Sequence, residues 1–414
     1  MMAELRLPSG AAAVLVAGLL SLIFCSLPSS AVGVLSTGQL INNHGHPAYG
    51  KHTVFTEDGY LINLFHIEGN DGPPFLLLHA FMGASDQWFL RDENHDLPSI
   101  LMKNGYDVWL GDFRGNLYSK GHSRFNVSDP EYWKFSVDEW AFYDVPAMID
   151  FVLSRTYGRH DRLYLVTYSL SSAIFLATAS ARPEYNERVI VSYHLAPFMA
   201  FSGIRSALLQ FGMRFGEMYL TIARNKKKFE LFPRNYLTKN SLSLFCGQKS
   251  VFLNMCVSIL SEFFGFDTSG NSTMDLDFKL IYSRAGVSLN SVDHLLQMIR
   301  KNKFQRYDLG YENNMIKYGQ PEPPEYDLRK VTSPVVLFYS KNDRVVDVNT
   351  IYKLISVLPN IYQTINIPHK TFGHIDYAFN SNAKKLVFDS VINITRQFRT
   401  AQSHVQRSYD YYYY

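Results

Sequence analysis

Three residues of this 414-residue chain could together carry out acyl transfer: Ser169, Asp343 and His374. Ser169 ends the apolar run Leu163-Tyr164-Leu165-Val166-Thr167-Tyr168 and precedes a small-residue segment, Ser172 to Ala181, that stops before Pro183. The pattern predicts a strand, a tight turn and a helix, with a hydroxyl presented at the turn. Asp343 follows the strand-like run Pro334 to Ser340, and His374 follows another, Ile361 to Ile367. A serine attacks a carbonyl when an imidazole takes its proton, and a carboxylate fixes the tautomer of that imidazole and steadies the imidazolium. Singly, a serine after a strand, an Asp-Arg pair in a loop and a loop histidine are ordinary turn residues. Their order sets them apart: nucleophile, acid, base, each behind a strand, in a sheet type that gathers ligands at the carboxyl ends of its strands.

The elements that must position them can be read along the chain. His52 to Thr56 and Tyr60 to Ile67 are β-rich runs flanking Glu57-Asp58-Gly59, and Asp-Gly is a strong hairpin signal. Pro73 to His79 is apolar without alternation, as suits a strand covered on both faces. Tyr106 to Leu110 and Val189 to Leu195 read as further strands, and Val137 to Leu153 has helical apolar spacing. Strands alternating with helices predict an α/β fold with a mostly parallel central sheet and helices on both faces. From Phe198 to about Tyr326 the pattern is helical and rich in Phe, Leu and Met. Residues 198–326 are therefore expected to be a cap inserted between core segments 32–197 and 327–400. Its basic stretches, 224–228 and 301–303, read as solvated helix faces, and its apolar faces suit either a lipid-binding lid or plain packing. A last helix should run to about Phe398, leaving 401–414, with four terminal tyrosines, disordered.

A net charge of +3, spread over 40 basic and 37 acidic residues, argues against a nucleic-acid partner and leaves neutral or amphiphilic substrates. The N-terminus carries Arg6, an apolar run from Ala11 to Cys25, and small residues at Ser29 and Ala31. This reads as a cleaved secretory signal over residues 1–31, because the run falls short of the roughly 20 residues needed to span a bilayer. No other segment is long and apolar enough to span. Sequons at Asn126, Asn271 and Asn393 suit a glycoprotein of the secretory pathway, secreted or lysosomal. With Cys25 lost in the signal, Cys246 and Cys256 remain. They are expected to form a disulfide worth roughly 2 to 3 kcal/mol, the alternative being two buried thiols on one amphipathic helix.

Ordered motifs carry a family resemblance. They are Gly45-His46-Pro47, Thr56-Glu57-Asp58-Gly59-Tyr60-Leu61, Gly105 to Gly111, Arg114-Gly115-Asn116, Trp133-Lys134-Phe135-Ser136, Leu195-Ala196-Pro197, Phe264-Gly265-Phe266 and Gly373-His374-Ile375-Asp376-Tyr377. The chain resembles, over nearly its whole mature length, the acid lipase family of α/β hydrolases, the group of gastric and lysosomal acid lipases. That resemblance implies an α/β-hydrolase fold with a helical cap bearing a disulfide. It also implies hydrolysis of carboxylic esters of neutral lipids, triglyceride or cholesteryl ester, through an acyl-enzyme and without metal or cofactor. Ser169 would be the nucleophile, Asp343 the acid and His374 the base, with the backbone N–H groups of Leu170 and Phe81 as oxyanion hole. The partner would be a lipid ester, met at a lipid–water interface. Where the family carries glycine, this chain has Ala80, Thr167 and Ser171, and side chains there are expected to add about 1 to 3 kcal/mol of local strain. Two rival readings follow: a weakly active or inactive lipase-fold protein that binds or stores lipid, and an esterase of small soluble esters.

Overall fold

The computed structural model describes residues 34–46, 48–199, 203–268 and 275–410, so the expected signal segment and the Asn271 sequon lie outside the described residues. In chain order the strands are β1 (Tyr49–Phe55), β2 (Tyr60–Ile67), β3 (Pro74–Leu78), β4 (Asp107–Gly111), the short β5 (Gly121–His122), β6 (Leu163–Tyr168), β7 (Val189–Leu195), the small β8 (Glu230–Leu231) and β9 (Val287–Ser288), then β10 (Val335–Tyr339) and β11 (Ile361–Asn366). β1 and β2 form the expected hairpin, in register from Tyr49 opposite Ile67 to Phe55 opposite Leu61. The main sheet runs β1-β2-β4-β3-β6-β7-β10-β11, with β5 on β2, while β8 and β9 pair separately. It is parallel from β4 through β11 and antiparallel at the β1–β2–β4 end.

Every residue of β3, β4, β6 and β7 is buried, which explains their unbroken apolar runs. The two-residue period still sorts the side chains into two layers. Leu76, Leu78, Leu165 and Leu337 pack on one face, and Phe75, Leu77, Val166 and Phe338 on the other.

The segment expected as one helix over 137–153 is broken by a π-turn, Trp140–Asp144, between Val137–Glu139 and Val145–Arg155. Pro146 has no N–H to give Phe142, so the ladder must change register there. The freed Phe142 carbonyl accepts from the Arg182 guanidinium at 3.1 Å, and the Ala141 carbonyl accepts from the Thr178 hydroxyl at 2.8 Å.

The last helix spans Asp389–Asp410. No glycine or proline interrupts that stretch to stop the helix; residues 411–414 lie outside the described residues.

Between β7 and β10 the described chain is mostly helical, including Ala207–Arg214, Gly216–Asn225, Tyr236–Cys246, Leu253–Phe264 and Leu289–Lys301. Cys246 and Cys256 are joined in a disulfide between two successive helices, which removes the reading of free thiols on one helix. The same region is pinned to the 3-10 turn Ser85–Phe89 after β3 by the Arg234 guanidinium, which donates to Asp86 at 2.6 Å and to the carbonyls of Ile281, Tyr282 and Arg284. Among the described residues no helix is long and apolar enough to cross a membrane.

Candidate active site

Ser169 stands at the junction of β6 and the helix Leu170–Ala181, with φ 59° and ψ −120°. A side chain in this left-handed region is strained, so the surroundings must hold it there. Its N–H donates to Leu195 at 2.9 Å, and its carbonyl accepts from Ser172 at 3.0 Å and Phe198 at 3.2 Å. The turn aims the hydroxyl away from both elements and towards the loops behind β10 and β11.

Those loops supply the expected partners. His374 Nε2 lies 2.8 Å from Ser169 Oγ, and His374 Nδ1 lies 2.8 Å from Asp343 Oδ2. The other carboxylate oxygen, Oδ1, accepts from the N–H groups of Val345 and Val346, both at 2.8 Å. With the proton on Nδ1 donated to Asp343, Nε2 is free to accept from the serine hydroxyl. Ser169, Asp343 and His374 are 6%, 2% and 5% exposed, so water screens these contacts little.

His374 is held from the helical region as well as from the loop behind β11. His374 N–H donates to the Phe264 carbonyl at 2.8 Å, and its own carbonyl accepts from the Tyr168 hydroxyl at 2.8 Å. Asn342 bridges the Gly265 and Thr371 carbonyls. Asp376 accepts from the N–H of Gly373 at 2.7 Å and from that of Asp267 at 2.9 Å. Burial pushes the Asp376 carboxyl up to about 7, and the nearby Asp267 charge adds to the rise. Motif spacing placed Asp376 beside the base but could not show that it ties two loops together. Phe264 contributes through its backbone, which leaves no side-chain signal.

Leu170 and Phe81 line one small cavity with Phe113, Trp140, Ile174 and Val287. Leu170 opens its helix, so its N–H has no intrahelical partner. Behind Phe81, His79 is fully enclosed, and burial pushes it down to about 4, so the ring is neutral. Its Nδ1 donates to the Ala80 carbonyl at 2.8 Å, and Nε2 accepts from Phe113 N–H at 3.3 Å and from Asn116 at 3.2 Å.

The three positions expected to be strained take ordinary backbone. Positive φ among non-glycine residues near the site falls on Met82, Ser169 and Ala196, not on Ala80, Thr167 or Ser171. Ala80 N–H donates to Gln87 at 3.1 Å, and the hydroxyls of Thr167 and Ser171 are hydrogen-bonded. Of the sequons, Asn126 and Asn393 are exposed, whereas the Thr395 hydroxyl is buried 2.7 Å from Tyr193 Oη.

A parallel sheet with a serine turn after β6, and an acid and a histidine beyond β10 and β11, defines an α/β hydrolase. Residues 73–380 match the alpha/beta hydrolase fold family, and residues 37–92 match the partial alpha/beta-hydrolase lipase region. The chain is 31% identical to Lipase 3 of Drosophila melanogaster, over 86% of this chain and 91% of that one. It is 28% identical to Homo sapiens gastric triacylglycerol lipase, covering 89% and 92%, and 28% identical to Rattus norvegicus lysosomal acid lipase/cholesteryl ester hydrolase, covering 86% and 90%. A crystal structure from Sulfolobus solfataricus shares the fold at TM-score 0.56 and 13% identity, over 84% of this chain and 94% of that one. The chain belongs to the acid lipase family of α/β hydrolases.

Proposed function

We propose that this serine ester hydrolase is a lipase of the secretory pathway that cleaves carboxylic esters of neutral lipids, triglyceride or cholesteryl ester. The observation that carries the reading is the unbroken 2.8 Å relay from Ser169 through His374 to Asp343, set on a left-handed serine turn. Ser169 Oγ attacks the ester carbonyl carbon as its proton passes to His374 Nε2. The C=O electron pair moves onto oxygen, and that oxyanion is received by the N–H groups of Leu170 and Phe81, each worth about 10²- to 10³-fold in rate. His374 returns the proton to the leaving alkoxide, and a water molecule activated by the same imidazole hydrolyses the acyl-enzyme. Asp343 orients the ring and stays ionised throughout. The substrate class rests on the relatives' names, gastric triacylglycerol lipase and lysosomal acid lipase/cholesteryl ester hydrolase. Secretory routing rests on them too, together with the N-terminal apolar run and the exposed Asn126 and Asn393.

The near-complete burial of Ser169 favours a second reading, a lipid-binding protein that has kept the fold. A fluorophosphonate probe decides between them. Labelling of the full chain that vanishes in Ser169→Ala, with parallel loss of nitrophenyl-ester turnover, is the expected result. Folded protein that neither labels nor turns over ester would overturn the hydrolase reading. Faster turnover of emulsified triglyceride than of monomeric esters separates a lipase from an esterase of soluble substrates.

A further inference from the structure

The serine turn of this chain is laced to its neighbours by hydroxyl groups. Ser171, two residues beyond Ser169, is fully buried, and its Oγ accepts from the Tyr168 N–H at 2.7 Å. The same oxygen lies 2.9 Å from the Tyr168 carbonyl and 3.1 Å from the Leu78 carbonyl, and its single proton serves those two acceptors. Leu78 is the last residue of β3 and pairs with Thr167 of β6. Past that pair the strands part, and the Ser171 hydroxyl bridges them where the backbone ladder has ended. The chain leaves Leu78 as His79, Ala80 and Phe81, so the bridge fixes the root of the loop that carries Phe81.

On the other side, Tyr168 reaches the base. Its hydroxyl donates to the His374 carbonyl, and its ring lies 5.9 Å from the imidazole at 30°. Burial raises the Tyr168 phenol well above its usual range, which keeps it a donor at any working pH. Thr167 anchors the strand end from below. Its Oγ1 lies 2.9 Å from both Ser172 Oγ and His194 Nδ1, and His194 Nε2 lies 2.9 Å from Ser192 Oγ. Ser192 in turn donates to the Pro334 carbonyl at 3.3 Å. Burial pushes His194 down to about 3, so the ring is neutral, with one donor and one acceptor nitrogen. Donation to Pro334 at the far end orders the row as Ser172 to Thr167 to His194 to Ser192.

We propose that the hydroxyls of Ser171 and Tyr168 are positioning groups, Ser171 setting the loop of Phe81 and Tyr168 setting the loop of His374 at fixed distance from Ser169. The inference rests on the hydrolase reading above. It differs from a filling role, in which these side chains merely occupy space and contribute only to stability. Removing the Ser171 hydroxyl takes an acceptor from the buried Tyr168 N–H and a donor from the Leu78 carbonyl. Removing the Tyr168 hydroxyl frees the His374 carbonyl and takes one tie from the loop at the residue that carries the imidazole. Neither change touches a reacting atom.

The test compares Ser171→Ala, Ser171→Gly and Tyr168→Phe with the wild-type full chain. The readouts are kcat and KM on a soluble nitrophenyl butyrate, the fluorophosphonate labelling rate, and circular dichroism to confirm folding. Misplacement near 1 Å is worth about 100-fold in rate, so each variant should lose about 10- to 100-fold in kcat and in labelling rate, with KM moving less than about twofold. Glycine at 171 decides against mere bulk, because it fits any space that serine fills. If Ser171→Ala does not fold, the glycine variant carries the result for that tie. Folded Ser171→Gly or Tyr168→Phe with wild-type kcat overturns the role of that residue and leaves the hydrolase reading standing. A wild type that neither labels nor turns over ester overturns both.

Discussion

Asp343 grips His374 with one carboxylate oxygen and its own loop with the other: Oδ2 meets the imidazole at 2.8 Å, while Oδ1 takes the N–H groups of Val345 and Val346. Orientation and charge are thus separable by substitution. In Asp343→Asn the amide oxygen can keep both backbone bonds, which turns the NH2 group towards His374 Nδ1. The imidazole must then accept there and protonate Nε2, the tautomer that cannot receive the Ser169 proton. Turnover should fall on the order of 10⁴-fold with the thermal midpoint nearly unchanged. A loss under tenfold in steady-state assays would remove Asp343 from the relay.

Gly373 precedes the base where two backbones nearly touch. A Cβ at Gly373 would sit 2.1 Å from the Gly265 carbonyl oxygen and 2.3 Å from its carbon, both main-chain atoms that cannot swing aside. Gly373→Ala should push the base loop off the Phe264–Gly265 segment and lower kcat by about 100-fold. The accompanying destabilisation should be about 1 to 3 kcal/mol, as for other overpacked sites. Denaturant titration beside kinetics checks both, and unchanged kcat would mean that the base tolerates loop displacement.

Asp86, in the 3-10 turn after β3, and Arg234 of the helical region pair with both charges buried, at 2.6 Å. Asp86→Ala strands the guanidinium, which should destabilise the fold by about 3 to 5 kcal/mol. Replacing both partners with apolar residues should restore part of that loss. Thermal melts of the single and double variants measure it, and a single variant as stable as wild type would show that the carbonyls of residues 281–284 suffice for Arg234.

Asp376 makes stability depend on pH with a definite sign. Burial pushes its carboxyl up from 3.8 to about 7, with Asp267 facing it and Asn380 and two backbone N–H groups beside it. The folded chain therefore keeps a proton that the unfolded chain releases. Its contribution is fully present below about pH 4 and is lost as pH rises through about 7. Asp376→Asn, permanently neutral, should gain stability relative to wild type as pH goes from 4 to 8. Parallel melts at pH 4, 6 and 8 that show a constant difference would contradict the shift.

Much of this was legible because strands and site shared one code. The unbroken apolar runs at β3, β6 and β7 announced strands covered on both faces, and a serine, an aspartate and a histidine each followed a strand end. What stayed hidden was contact without a side-chain signature. The Phe264 carbonyl reaches His374 from over a hundred residues away in sequence through a main-chain bond. The π-turn at Trp140–Asp144 keeps the three-and-four spacing of a plain helix, so periodicity passes over it. Thr167 and Ser171 read as misfits because glycine marks a tight turn, while their hydrogen bonds depend on acceptors from β3 and β7 that only the assembled sheet supplies.

Ser169 and His374 are 205 residues apart in the chain. At about 5 to 20 residues per second of synthesis, Ser169 is made roughly 10 to 40 s before His374 exists. During that interval the growing chain carries a serine with nothing to deprotonate it. An ester hydrolase built this way would thus be born inert, and would acquire its reactivity only as the last strand and the loop behind it close onto the sheet.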